Sequence, residues 1–522
     1  MNRKKLKKEE IKTKKQIEEK QNIAHRNSGK QNGEPKVIEL NLSATVAVIT
    51  AIIVLIVTVT SVKVITTIIE VKESRKLNNE EQNANERVTY VNSTLKDESG
   101  KIVNETDADG NVIQVPVPKG YSASKIEGET TASKGFVIYE GDVDWSTILV
   151  DSKSTQSNVA IDEPAFDDDM TVINENMPES DTVQDTNDDE NTSDDATTND
   201  DTTTDTTTPT QEEINIFNLQ KTRNQYVWVP VDDPARIYGV DNKGKIWGKL
   251  YNFSNTGRTA LNWTETNGIM NITSQASYRE PNVLQISSEY DRDGYSLMHS
   301  SGLGETRYEM LAQELEQNYY EIIESIKKYG GFYIGRYETG GLNGTAVVRK
   351  MYTNIADQNW YTMYKKCLTL KGANTDVKTS MIFGNLWDEA LEWLVKSGAT
   401  ISDGTTLTYQ LMKDSTTWGN YNNATFNYIA ANAETPLMTE TKDKSTNTRI
   451  PAGSAEYTKA NNVYDMAGNV YDWTTEAYST DGRAVRGGFY SGYGYYLSSL
   501  LPRRLRFLRQ RYLQAAVVVY FG

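Results

Sequence analysis

The chain has 522 residues, a formal net charge of −16 and 37% hydrophobic residues. That length allows two or three domains, and an apolar share this low means that part of the chain is solvated linker. A single cysteine, Cys367, excludes an intrachain disulfide, and two histidines, His25 and His299, leave almost no material for histidine-based metal or base chemistry.

Residues 1–41 are basic and polar, with Arg3, Lys4, Lys5, Lys7 and Lys8 leading. Residues 42–62 follow without a charge. At ~1.5 Å per residue a helix there is about 31 Å long, enough to cross a hydrocarbon core of ~30 Å. The basic flank places the N-terminus in the cytoplasm and the C-terminal part outside. The basic region is long for a cleaved signal peptide and no small-residue cleavage site follows. The expectation is a single-pass signal-anchor in the cell membrane, which accounts for the lysines without a nucleic-acid partner.

Residues 63–153 are expected to form an extracellular stalk with short β segments. Asp107-Ala108-Asp109-Gly110-Asn111 leads as a turn into Val112–Val117. It could also be a fragment of a Ca²⁺ loop, but the distal glutamate of such a loop is missing. Residues 135–141 make a second short strand. Packing of this region on the next domain and a separate module both stay open. Residues 154–221 carry the acidic run from Asp162 to Glu213, which cannot bury enough apolar surface to offset chain entropy. It is expected to be a disordered, extended spacer that supplies reach.

Residues 222–522 form the distal domain, which opens near Tyr226. Thr306 and Glu309 have capping-box spacing before apolar positions Tyr308, Leu311, Leu315, Tyr319, Ile322 and Ile326, one face of a helix. Lys327 and Lys328 suit its C-terminal end, and Gly330-Gly331 stops it. A second helix is expected from about Leu386 to Lys396, with Asn385 as N-cap and Gly398 beyond its end. Short Tyr, Val, Ile and Thr runs elsewhere indicate short strands and long loops. The class is α+β, preceded by the transmembrane helix and the linker.

Asn462 to Trp473 reads N-V-Y-D-M-A-G-N-V-Y-D-W. Gly468 permits a backbone turn that a side chain would block. Asp465 and Asp472 with nearby carbonyls make either a hard-cation site or a turn whose side chains bond their own backbone. After Arg486-Gly487-Gly488 the chain is rich in tyrosine and glycine. It then carries Arg503, Arg504, Arg506, Arg509 and Arg511, which could meet an anionic partner, pair with the acidic linker, or mark a shifted reading frame.

Y-D-M-A-G-N-V-Y-D-W followed by V-R-G-G resembles the signature of the formylglycine-generating enzyme (sulfatase-modifying factor) family, a variant of the C-type-lectin fold. Tyr226–Val231, Gly331–Thr339, and the stretch from Ser380 to Leu394 with Trp387, Asp388, Ala390 and Trp393, resemble further segments of that family. The resemblance covers roughly the last 300 residues. It implies a C-type-lectin-like distal domain and a structural Ca²⁺ held by Asp465, Gly468, Val470 and Asp472, the glycine and valine through carbonyls.

The family's enzymes oxidise a cysteine with copper and paired cysteines, and a related branch uses iron and a histidine cluster. Cys367 alone supplies neither. Two function classes remain: a surface-anchored binding or display module for an external protein or glycan, and a sulfatase-modifying-type oxidoreductase. The missing ligands favour the first. Many lectin-fold proteins resembling this domain are targets of diversity-generating retroelements, which vary a stretch after R-G-G. Carried over, Tyr490, Tyr493, Tyr495, Tyr496, Arg503, Arg504 and Arg506 become the contact set. The alternative is that they close the sheet.

Overall fold

The computed structural model describes residues 87–150, 208–273, 279–281, 304–353, 355, 360–479, 482–495, 503–505 and 513–521. The chain divides into units Met1–Asn83 and Ala84–Gly522, and every described residue belongs to the second. The apolar stretch 42–62 and most of the acidic run lie outside the described residues. Among the described residues no helix is long and apolar enough to cross a membrane.

The class is mixed α+β, with strands predominating. In chain order, the elements that position the site are β1 (Tyr121–Ala123), β2 (Val137–Glu140), α1 (Gln211–Thr222), β3 (Gln225–Pro230), α2 (Gly304–Tyr329), β4 (Gly331–Gly335), α3 (Trp360–Thr369), β5 (Val377–Met381), α4 (Gly384–Lys396), β6 (Tyr471–Ser479), β7 (Gly482–Arg486), β8 (Arg503–Leu505), β9 (Leu513–Ala515) and β10 (Val517–Phe521). Antiparallel pairing joins six of them in the order β5-β10-β4-β3-β2-β1. The central strands are runs of valine, isoleucine and aromatic residues, which fit a pleated surface. β4 and β10 are buried at every position, and β3 at all but Pro230, so the sheet is covered on both faces. A second sheet, ordered β8-β7-β6-β9, pairs β9 parallel to β6.

Helix α2 buries Leu311, Leu315, Tyr319, Ile322, Ile323 and Ile326, the face that the apolar spacing predicts. It starts at Gly304, two residues before Thr306, so Thr306 to Glu309 lie within its first turns. Its end is as expected, with Lys327 and Lys328 in the last turn and Gly330 at φ 78°. Helix α4 likewise starts earlier, at Gly384 after Phe383. Asn385 is therefore inside the helix, where its amide donates to Ile237 O (2.8 Å) and Tyr319 Oη (2.9 Å). The pull of those two buried acceptors replaces the capping role.

The largest departure concerns the expected stalk and spacer. Strand β2 pairs with β3, Val137 opposite Val227 and Ile138 opposite Tyr226. Phe136, Val137, Ile138 and Tyr139 lie in the main core. Burying each such side chain stabilises by ~1.5–3 kcal/mol, so residues 121–140 are part of the domain and not a separate stalk module. Helix α1, capped by a Thr210–Glu213 capping box, falls inside the stretch expected to be linker. Its Asn215 amide donates to Thr147 O at 2.9 Å, just before residue 151. The described residues on either side of 151–207 therefore belong to one folded unit. The Asp107 side chain accepts from Asp109 N (2.9 Å) and Asn111 N (2.8 Å), which makes that motif a turn.

Proteolytic cleavage within residues 151–207 is expected to give two bands on a denaturing gel that still co-elute as one species in non-denaturing gel filtration. Separation of the two pieces under native conditions would show that the β2–β3 pairing does not hold the unit together.

Candidate functional site

The loop leading into β6 is a sequence of forced backbone conformations. Asp465, Gly468 and Asn469 have φ of 60°, 79° and 55°, in the left-handed region where glycine and short polar side chains are tolerated. A Cβ on Gly468 would lie 2.2 Å from Asn420 O, and the two segments form a parallel bridge there. Only glycine fits that approach.

Asn469 locks the loop. Its side-chain nitrogen donates to Glu338 and to Ile450 O (3.2 Å). Its oxygen accepts from Asn420 Nδ2 (3.0 Å) and Ile450 N (3.1 Å). Glu338 also accepts from Val470 N at 3.2 Å. Glu338 lies in the quoted segment after β4, yet sequence reading gave it no role. Its signal was a carboxylate directly following a run of buried strand residues.

Glu338, Asp465 and Asp472 are buried and line one small cavity of ≈ 20 Å³. Burial, then the charges of Asp465 and Asp472, pushes the Glu338 carboxyl well above its ordinary range. Burial also raises Asp465 to about 6. The four residues carried over as calcium ligands do not all converge. Asp465 is engaged by Thr458 Oγ1 (2.6 Å) and Gly453 N (2.7 Å), and Gly468 N donates to Gly487 O at 2.7 Å. Val470 and Asp472 do converge, on Gly487. A Cβ built there would lie 3.3 Å from Asp472 Oδ2, 3.5 Å from Met466 O and 3.8 Å from Val470 O. A carboxylate and two carbonyl oxygens near one glycine are the donor type that a hard cation takes. Among the described residues, no three His, Cys, Asp or Glu side chains group as metal ligands, so a cation there would depend on carbonyls.

The R-G-G arginine is the second anchor. Arg486 is fully buried and reaches Asp388 Oδ1 on α4 (3.2 Å) and Glu476 Oε2 on β6 (2.6 Å). Burial pushes Asp388 up to about 7, with Arg486 pulling the other way. Glu280, buried and accepting from Gly384 N (3.0 Å) and Thr475 Oγ1 (2.7 Å), is raised by burial to about 8.

Beyond Gly488 the chain turns along the loop surface. Tyr490 N donates to Asn469 O (2.9 Å), Asn422 N to Gly492 O (2.8 Å) and Ser415 N to Gly494 O (3.4 Å). Tyr493 and Tyr495 are 43% and 46% exposed, with ring centroids 5.5 Å apart. Arg503 and Arg504 lie in β8, opposite Val485 and Ala484. Tyr496 and Arg506 lie outside the described residues, as does His299. Cys367 is fully buried in α3, and burial raises its thiol well above the ordinary range.

Three of the raised carboxyls set a pH dependence. An unfolded carboxylate releases its proton near ~4, whereas Asp465, Asp388 and Glu280 hold theirs to about 6, 7 and 8. The folded state therefore binds more protons between those limits, and stability falls as pH rises. The denaturant midpoint should be higher at pH 5 than at pH 8, and Glu280→Gln should flatten the upper part of the slope. A midpoint that is constant or rises over that range contradicts these assignments.

No family model matches the chain, and no curated protein matches it. Among solved structures, Treponema denticola variable protein 1 aligns at 13% identity and a TM-score of 0.18, over 56% of this chain and 95% of that one. The likeness is a weak structural neighbourhood and carries no argument about function.

Proposed function

We propose that the chain is a cell-surface binding or display protein. In this reading a single span at residues 42–62 anchors it, with the N-terminus cytoplasmic. The unit beyond it is a non-catalytic, formylglycine-generating-enzyme-like variant of the C-type-lectin fold that recognises an external protein or glycan. The observation that carries the reading is the pair Tyr493 and Tyr495, half-exposed on a backbone held by hydrogen bonds to Asn422, Asn469 and Ser415. Tyrosines bury much area at low entropic cost, as in antibody paratopes. A contact surface of this kind can change its side chains while its backbone stays fixed. We place the variable stretch of a diversity-generating retroelement target on the residues after Arg486-Gly487-Gly488. The oxidoreductase alternative requires a reactive thiolate pair, and the lone Cys367 is buried and held protonated.

The double variant Tyr493→Ala/Tyr495→Ala tests this on a glycan array and a panel of surface proteins. Paired hot-spot tyrosines contribute at least ~2 kcal/mol, so binding should fall roughly 30-fold with the melting temperature unchanged. Retained binding, or unfolding of the variant, overturns the contact-surface reading.

The same reading includes a structural Ca²⁺ at the position that Asp472, Val470 O and Met466 O surround. Chelation should lower the melting temperature of the parent and leave Asp472→Asn unaffected. Gly487→Ala, which crowds those oxygens, should behave like the chelated parent. A parent indifferent to chelator removes the cation from the proposal.

A further inference from the structure

Three lysines of the described residues are buried, and two show how this fold satisfies such a group. Lys442 Nζ donates to Tyr421 O (2.5 Å) and Ala424 O (2.8 Å). Lys249 Nζ donates to Ala235 O (2.9 Å) and Glu265 Oε2 (3.1 Å). Lys350 differs. It is 6% exposed, and the nearest carboxylate to its ammonium, Glu456, is 3.9 Å away. That carboxylate is already taken: Tyr464 Oη donates to one oxygen (2.5 Å) and Lys459 Nζ to the other (3.1 Å). With no acceptor on the chain among the described residues, the ammonium takes its hydrogen bonds from outside it, from water or from a ligand.

Lys350 lines a cavity of ≈ 560 Å³ between the residues before β2 and the loops around 400 and 460. The size is that of a small-molecule cleft, whose usual range is ~300–1,000 Å³, and far exceeds a simple ion. The Gln220 side chain, 7% exposed, also lines it. One wall is the Tyr464 ring, with Lys350 Nζ 5.5 Å from its centroid.

The charges limit the ligand. Arg336 is paired with Glu129 at 2.7 Å and Lys459 with Glu456. Lys134, the fourth cation of the lining, is exposed and donates to Ser397 O (2.6 Å) and Gly398 O (3.1 Å), which leaves the Lys350 ammonium as the one that an anionic oxygen of a ligand would meet. The amide and hydroxyl groups of the other walls suit a hydroxylated ligand.

We propose that this cavity is a binding site for a sugar-sized carboxylate, an acidic monosaccharide unit, whose carboxylate takes the Lys350 ammonium and whose hydroxyls take the Gln220 amide and its neighbours. The site is separate from the tyrosine loop and does not depend on the binding role given to it.

The test is a ligand-observed NMR titration of the full chain in non-denaturing detergent with glucuronate, glucose, acetate and inorganic phosphate. Glucuronate should bind at least tenfold more tightly than the other three, because only it carries both the charge and the ring. Lys350→Met should lose that binding and Lys350→Arg should retain most of it. Gln220→Leu, which leaves the buried charge untouched, should weaken glucuronate about tenfold even if Lys350→Met fails to fold. The proposal is overturned if the parent does not bind glucuronate, if acetate or phosphate binds equally well, or if folded Lys350→Met or Gln220→Leu binds like the parent.

Discussion

Arg486 is the interaction on which the distal unit depends. Its guanidinium has no solvent exposure and joins Asp388 on α4 to Glu476 on β6. Breaking such a pair by removing one partner typically costs ~3–5 kcal/mol, because a charge is left uncompensated. The pairing explains how α4 can be buried on every side while carrying carboxylates. Glu389 meets Arg236 and Arg258, and Glu392 meets Arg258 and Lys396. Gly384 at the helix start lies where a Cβ would come within 2.5 Å of Glu476, so the helix seats directly on the strand that holds the arginine's second partner.

The residue after Arg486 begins the turn that carries the solvent-facing loop, so that loop inherits a fixed origin. Its backbone is held by Asn469, whose own amide is saturated by Glu338, Ile450 and Asn420. The consequence is a division of labour between depth and surface. The groups that hold the loop's origin are buried, while Tyr493 and Tyr495 are 43% and 46% exposed. A surface can vary freely only where that division exists.

Part of this was legible in the sequence. The apolar spacing of α2 gave its buried face, and Gly468 marked one of the places where the backbone adopts a left-handed conformation. Helix starts were misread at Thr306 and Asn385, because local capping chemistry cannot show that Tyr319 and Ile237 offer Asn385 a buried alternative. Residues 121–140 were read as stalk, since a short strand reveals its partner only through non-local pairing, here with β3 across an acidic stretch. The calcium set came from the family resemblance, carried over by position, and spacing alone left a plain turn open. The actual convergence involves Met466 O and the missing side chain of Gly487, neither of which leaves a sequence signal. Lys350 left no signal either, because burial of a lysine depends on walls from three separate parts of the chain.

The position of β10 bears on how the protein is made. The last strand of the chain sits inside the sheet, between β5 and β4, with every residue buried. Until it is synthesised, the sheet is two separate pieces with two unpaired inner edges, and such edges are templates for aggregation. The sheet is therefore closed by contacts between distant parts of the chain, a topology that folds slowly. Removing Val517–Phe521 would take the middle out of the core and leave both neighbouring strands unpaired on their inner edges.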